Sequence, residues 1–278
     1  MKLLADAKRH PLVTAIIVLL GSCILAYSTA EGREVQAIAY LGAVLVSALV
    51  VDFLAAKMSV GSDPILVRSP VKETLWILAT YAVVIALSTL KSFVLTGDTW
   101  DPVRWGVYGM NALFVFPTVL IVLFLKWGYR PRDIGIRFRH FWIGLPVIAV
   151  FAIAAFTLAP GKIQFANNFR DLGIPQTFFI SFFVAAAPEE FVRYLAQTRL
   201  GKLFGNYAAG WLTASVVWAL LHLPSFYAHS THGFASAFMG VVAIIPLGLL
   251  WSFMNHRTRS ITPAVLVHGT NLWALQDL

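Results

Sequence analysis

Long apolar runs alternate with short polar connections along the whole chain. Stretches of about 20 residues, the length that crosses a bilayer as a helix, lie near 12–30, 35–56, 74–96, 105–126, 141–159, 177–199, 208–226 and 234–254. A shorter ninth run lies at 261–275. The pattern predicts an all-α fold, a polytopic transmembrane helical bundle of eight or nine spans in which residues 1–278 form a single transmembrane domain.

Composition supports an integral membrane protein. The 278 residues are 59% hydrophobic and 12% charged, whereas about a quarter of the residues of a soluble globular protein are charged. The single cysteine, Cys23, excludes an intramolecular disulfide and any multi-cysteine metal site. The net charge of +8 comes from basic residues scattered between apolar runs, which is typical of topology signals and contacts with anionic lipid. We therefore expect the lipid bilayer as a partner and no nucleic acid.

Lysine and arginine positions predict the orientation of the bundle. Basic residues follow the second, fourth and sixth spans and precede the first, so these segments are expected in the cytoplasm. The segments contain Lys2, Lys8 and Arg9; Lys57, Arg68 and Lys72; Arg130, Arg132, Arg137 and Arg139; and Arg199 with Lys202. Asp52, near a span end, is expected to reach the same interface. The amino terminus is thus predicted in the cytoplasm of a cell with the protein in its inner or plasma membrane, although the first run also fits a cleavable signal peptide.

Three ionisable residues interrupt the apolar run 178–195. Glu189, Glu190 and Arg193 would each cost about 2.5–3.5 kcal/mol at the middle of a spanning helix, so they must face partners, water or a substrate. On a helix Arg193 lies about 40° from Glu189 and about 60° from Glu190, so it can pair with either. The arrangement fits a site in which one glutamate stays ionised and the other activates water. A structural ion pair beside the Pro188 kink is the alternative.

Two histidines and an asparagine lie at similar depth on later runs. Counted from the cytoplasmic ends, Glu189 lies about 15–18 Å deep, His222 about 21 Å and His268 about 11 Å. Neutral imidazoles can bind a divalent ion or hydrogen-bond an oxyanion, and Asn271 on the same face as His268 can add a donor. Core histidines bonded to backbone carbonyls are the alternative. Trp218, one turn before His222, suits packing.

These clusters resemble the CAAX-protease and bacteriocin-processing family of intramembrane endopeptidases, which includes the type II CAAX prenyl endopeptidases. The family pattern is EExxxR on one span, FxxxH on the next and HxxxN on the last. Here Trp218 takes the aromatic position and His222 the histidine of the second motif, followed by Leu223-Pro224. The resemblance covers residues 175–275, which are expected to carry the catalytic core.

Two of the three motifs depart from the family spacing. Glu189-Glu190 and Arg193 form EExxR, which is one residue short, and His268 with Asn271 forms HxxN. Because positions three and four residues apart share a helix face, an asparagine at the third place can still act with the histidine. The departures leave open a relative whose activity has been lost or changed.

The resemblance implies hydrolysis of a peptide bond in a membrane-anchored peptide or protein by a glutamate-activated water. Glu189 is then the base and Glu190 assists it, while His222, His268 and Asn271 act at the oxyanion. His222 and His268 are the candidate ligands of a divalent metal such as zinc. Arg193 and Trp218 are assigned to substrate binding, with Arg193 also pairing with the glutamates.

Two other classes of function stay open. A non-catalytic membrane scaffold or bacteriocin-immunity protein on the same fold is favoured by the offset motifs. A proton-coupled transporter would use glutamate and histidine as a relay, but the sequence lacks the internal repeat typical of such proteins.

Overall fold

The computed structural model describes residues 2–58, 65–94, 119–158, 173–230 and 233–274, and the regular structure of these ranges is helical. The helices are α1 Lys2–Arg9, α2 Pro11–Ala30, α3 Glu34–Lys57, α4 Pro70–Thr89, α5 Val119–Lys126, α6 Gly144–Leu158, α7 Ile174–Phe179, α8 Ala187–Leu203, α9 Tyr207–Leu220, α10 Leu223–His229, α11 Gly233–Thr258 and α12 Thr262–Ala274. A π-helix, Leu90–Val94, extends α4, and another, Ile180–Ala186, joins α7 to α8. Short 3₁₀ turns lie at Pro131–Ile134 and Phe141–Ile143.

The predicted helical bundle is confirmed. Six helices in the described ranges are long and apolar enough to cross a membrane: Pro11–Ala30, Glu34–Lys57, Pro70–Phe93, Phe141–Leu158, Tyr207–His229 and Gly233–Thr258. Each of them coincides with a run predicted from the sequence. Many of their large apolar side chains are exposed, among them Leu12 at 73% and Val18 at 63%, which suits contact with lipid.

The other three predicted runs behave differently. Most of the run 105–126 lies outside the described residues, which resume at Val119. The run 177–199 is helical but carries the charged residues of the candidate site. The run 261–275 contains α12, and the 13 residues of α12 that the structure describes extend about 20 Å, less than the thickness of a bilayer core.

Helix α8 lies at the centre of the bundle. It packs against α4, α9, α11 and α12, and every residue from Glu190 to Gly201 is buried. Its closest neighbour is α9, where a Cβ on Gly210 would lie 2.2 Å from the backbone nitrogen of Gly201. Only glycine permits this approach of the two backbones, as is common between helices in membranes. The segment that carries the glutamates is therefore held from all sides.

Two apolar clusters flank α8. One contains Trp218 of α9 and Trp251 of α11, and the other contains Phe191 and Val192 of α8 itself. The π-helix that precedes α8 packs against α12, where Phe182 lies over Gly269 so closely that a Cβ there would clash at 2.4 Å. Tight packing on both sides fixes the rotation of α8 and thus the direction of its polar side chains.

Candidate active site

The adjacent glutamates of α8 lie in different environments. Glu190 is fully buried, whereas the side chain of Glu189 is 24% exposed. Both lie in the first turn after the π-helix, next to Pro188. Since π-helical turns often occur at functional sites, the local geometry agrees with the sequence argument that this segment is more than a packing element.

Glu190 is bound by donors from three helices. Arg193, one turn along α8, forms an ion pair with Oε1, and Nδ1 of His268 on α12 lies 2.9 Å from the same oxygen. Nδ2 of Asn255 on α11 donates to Oε2 over 3.0 Å. Both carboxylate oxygens are therefore occupied, and Glu190 is held in one orientation without exposure to solvent.

Glu189 faces the two histidines. Its Oε2 accepts a hydrogen bond of 2.7 Å from Nε1 of Trp218. Nε2 of His222 lies 3.9 Å from the same oxygen, and Nε2 of His268 lies 3.8 Å from it. These separations exceed a direct hydrogen bond and suit a bridging molecule such as water. The structure thus brings Glu189, His222 and His268 together around one point.

Each imidazole is oriented through its other nitrogen. Nδ1 of His222 lies 3.1 Å from the carbonyl oxygen of Trp218, and Nδ1 of His268 contacts Glu190. Because a carbonyl and a carboxylate only accept, both Nδ1 atoms carry hydrogen. With Nδ1 bonded in this way, each ring turns its Nε2 toward Oε2 of Glu189.

Two tryptophans enclose the ionic groups. Trp251 stacks on His268 with ring centroids 3.8 Å apart and an angle of 14°, and Trp218 meets His222 edge-on at 4.8 Å. The guanidinium of Arg193 lies over both indoles, 4.3 Å from the centroid of Trp218 and 5.1 Å from that of Trp251. Cation–π contact of this kind stabilises a desolvated arginine, and all three side chains are buried.

The comparison with protein families agrees with this geometry. Residues 171–274 match the family model of the Rce1-like type II CAAX prenyl endopeptidases. The matched range contains every residue of the site and confirms the resemblance predicted for residues 175–275. The match supports an intramembrane endopeptidase of the CAAX type as the general class of function. Neither the curated proteins nor the solved structures gave a match.

Three other residues were predicted from the sequence to belong to the site: Arg193, Trp218 and Asn271. Arg193 pairs with Glu190, and Trp218 donates a hydrogen bond to Glu189. Arg193 is fully buried and Trp218 is 3% exposed, so little of either side chain is open to a substrate. Asn271 lines a small cavity with Trp251 and Val267. Its side chain forms no hydrogen bond with the described part of the chain. The structure therefore does not bring Asn271 to Glu189 in the way it brings the histidines.

Two residues of the site were not predicted from the sequence. Asn255 and Trp251 lie on α11, a helix without a family motif, and both are buried against the motif residues. The signal for Asn255 is an amide at the end of an apolar run, just before His256 and Arg257, where it resembles a residue of the membrane interface. Trp251 gave no signal, because an aromatic residue in an apolar span is ordinary.

Nε2 of His222, Nε2 of His268 and Oε2 of Glu189 are atoms of the kinds that bind divalent metals, but the distances from the oxygen to the two nitrogens are longer than those between the ligands of one metal ion. Two imidazole nitrogens and a carboxylate oxygen form a common ligand set for zinc. Ligand atoms of tetrahedral zinc lie about 3.4 Å apart, whereas Nε2 of each histidine lies 3.8 or 3.9 Å from Oε2 of Glu189. Within the ranges that the structure covers, no three His, Cys, Asp or Glu side chains have metal-binding spacing. A metal at His222 and His268 stays a prediction, and no step below depends on it.

Proposed function

We propose that the protein is an intramembrane endopeptidase that hydrolyses a peptide bond of a membrane-anchored substrate with a glutamate-activated water. One observation carries the proposal: Oε2 of Glu189 faces Nε2 of both His222 and His268 at 3.8–3.9 Å. The match of residues 171–274 to the Rce1-like type II CAAX prenyl endopeptidases supports the same class of reaction.

Glu189 is the base in this proposal. It is the partly exposed carboxylate of the pair, and Trp218 is its only direct hydrogen-bond donor among the described residues. A water between Glu189 and His222 would donate one hydrogen to Oε2 and the other to Nε2, which directs its lone pair toward the scissile carbonyl. Glu189 then takes a proton as the new C–O bond forms.

His268 is the oxyanion donor in the same proposal. Glu190 accepts from its Nδ1, and this carboxylate stabilises an imidazolium whose second hydrogen, on Nε2, points into the site. The tetrahedral oxyanion would accept that hydrogen. As the C–N bond breaks, Glu189 returns its proton to the leaving nitrogen, which restores the carboxylate and balances the reaction. We assign Asn271 as a further donor that would have to turn toward the oxyanion.

The substrate would approach from the side on which the site is exposed. His222 and Glu189 have 31% and 24% of their side chains exposed, whereas His268 is 3% exposed and Glu190 not at all. We place this opening toward the cytoplasmic half of the membrane, in agreement with the depths estimated from sequence. A substrate anchored in the bilayer could reach it without leaving the membrane.

Reconstitution tests the proposal. The purified protein in liposomes would be incubated with a panel of membrane-anchored peptides, and the products analysed by mass spectrometry in H₂¹⁸O. Cleavage with one ¹⁸O atom in the new carboxyl terminus, lost in Glu189→Gln, is the expected result. If no peptide is cleaved, and Glu189→Gln and His222→Ala leave the cellular phenotype unchanged, the non-catalytic scaffold or immunity function replaces the protease.

A further inference from the structure

Asn255 is a buried residue that bonds directly to Glu190 of the candidate active site. It is fully buried near the carboxyl end of α11, a helix that contributes no motif residue. Its Nδ2 donates to Oε2 of Glu190 over 3.0 Å, and no other donor in the described ranges contacts that oxygen. The opposite oxygen, Oε1, contacts Arg193 and His268.

We propose that Asn255 is a positioning residue, which fixes Glu190 so that Glu190 in turn aims His268 at the reacting atoms. This inference rests on the proposed function. A carboxylate held at only one oxygen can rotate about its terminal bond, whereas donors on both oxygens fix its plane. Asn255 supplies the second point, and the contact of 2.9 Å from Glu190 to Nδ1 of His268 depends on that plane.

Arg193 explains why Glu190 needs a donor on its second oxygen. Its Nε and Nη1 form no hydrogen bond within the described part of the chain, so the guanidinium has donors to spare beside Glu190. Without Asn255, the bare Oε2 would be a buried unpaired oxygen, and a spare nitrogen of Arg193, which already pairs with Oε1, could take the place of the amide. Such a bidentate pair would draw Glu190 toward its own helix and away from His268.

The matched control lies one turn away on the same helix. Ser252 is as buried as Asn255, and its hydroxyl accepts a hydrogen bond of 3.1 Å from Ser215, away from the glutamates. Ser252→Ala therefore removes a buried polar contact of α11 without touching Glu190. Asn255→Leu removes the amide donor and keeps the number and branching of the side-chain heavy atoms.

The test measures kcat and KM per folded molecule in liposomes with a cleaved membrane-anchored peptide. We expect Asn255→Leu to lower kcat about ten- to a hundred-fold, with KM changed by less than about two-fold, and Ser252→Ala to change neither. Should Asn255→Leu not fold, Asn255→Ala takes its place. An unchanged kcat, or a loss that appears in KM alone, overturns the inference.

A second measurement separates this inference from the proposed function. Structures of Asn255→Leu and Ser252→Ala would show whether the contact from His268 to Glu190 opens beyond 2.9 Å in the first variant and persists in the second. If the wild-type protein cleaves nothing, the protease proposal fails, yet this comparison still decides whether Asn255 holds the pair. Unmoved Glu190 and His268 side chains in Asn255→Leu contradict the positioning role.

Discussion

Helix α8 carries two buried ionic clusters, one at each end. One cluster is the candidate site around Glu189 and Glu190. The other joins Arg199 to Glu73 of α4, with Nε of the arginine 2.9 Å from Oε2 of the glutamate. The other oxygen of Glu73 accepts from the hydroxyl of Tyr129 over 2.6 Å and from the backbone nitrogen of Ser69 over 2.8 Å. Arg199 and Glu73 are 0% and 1% exposed. This cluster is closed to solvent.

The cluster around Glu189 and Glu190 contains the same residue types in an open arrangement. Glu190 with Arg193 repeats the closed pair, since both are fully buried and the glutamate has donors on both oxygens. Glu189 is added to that pair, partly exposed and facing two imidazoles across gaps of 3.8 and 3.9 Å. The candidate catalytic site thus differs from the structural ion pair by one extra, partly exposed carboxylate that faces two imidazoles.

This comparison explains why buried charge alone is a weak indicator of function. An ion pair in a bundle core can cost as much in desolvation as it returns in attraction, and Arg199 with Glu73 shows such a pair in a role of fixing α8 to α4. Partial exposure, rather than charge, distinguishes the site. Substitutions in the two clusters should therefore separate stability from turnover.

The largest effect is expected from the same change made in both clusters. Glu189→Gln removes the proposed base while it keeps the shape of the side chain, so turnover should fall about 10²- to 10⁴-fold with little change in melting temperature. Glu73→Gln should do the reverse, because the amide puts a donor among the donors that Glu73 accepts from. Rates and thermal melts of the two purified variants decide the matter. Equal losses of turnover would remove the distinction.

The next largest effect is expected on stability, from replacing the arginine of either cluster. Arg193→Ala and Arg199→Ala each leave a buried carboxylate without its cation, and each should lower the free energy of unfolding by about 3–5 kcal/mol. Only Arg193→Ala should also lower the turnover of the folded fraction, because Glu190 and His268 lie in the site. Denaturation in detergent and single-turnover cleavage measure the two quantities. A melting temperature of Arg193→Ala equal to that of the parent would refute its role as the structural partner of the glutamates.

A smaller effect is expected at Gly248 of α11. A Cβ there would lie 2.8 Å from the ring of Trp218 and 3.3 Å from Nη1 of Arg193. Gly248→Ala should cost about 1–3 kcal/mol of stability and lower turnover, since Trp218 must shift from Glu189. Gly42→Ala on α3 is the control, because nothing lies within 4 Å of its Cβ and alanine should add about 0.5–1 kcal/mol. A silent Gly248→Ala would mean that Trp218 has room to move without consequence.

The sequence was sufficient for the bundle and for the main elements of the site. The length of the apolar runs predicted six helices that the structure confirms, because a span of about 20 residues must satisfy its own backbone hydrogen bonds. Glu189, Glu190 and Arg193 were found because three charges in an apolar run need a local explanation. Both kinds of inference depend on neighbours within one helix.

Pairs of charged residues on helices far apart in the chain could not be predicted from the sequence. Asp52 was expected to reach the membrane interface, but it is fully buried and lies 3.0 Å from Nε of Arg257 on α11. Arg199 served as a topology signal and is instead the buried partner of Glu73. A single sequence does not say which helices touch, so a charge with a remote partner looks the same as a charge at the surface. Asn255 was missed for the same reason.

The smallest effect is expected from a metal chelator. Since the proposed mechanism assigns no step to a metal, it predicts that EDTA changes the cleavage rate by less than about two-fold, whereas a zinc ion held by His222 and His268 predicts inactivation. Glu189→Gln in the same assay shows that a loss would be detected. An inactivation by EDTA that zinc reverses, and that His222→Ala makes permanent, would contradict this expectation. It would mean that His222 and His268 move a few tenths of an ångström closer to Glu189 when a metal binds, from 3.8–3.9 Å to the separation of about 3.4 Å between zinc ligands. The cluster around Glu189 would then be a zinc site.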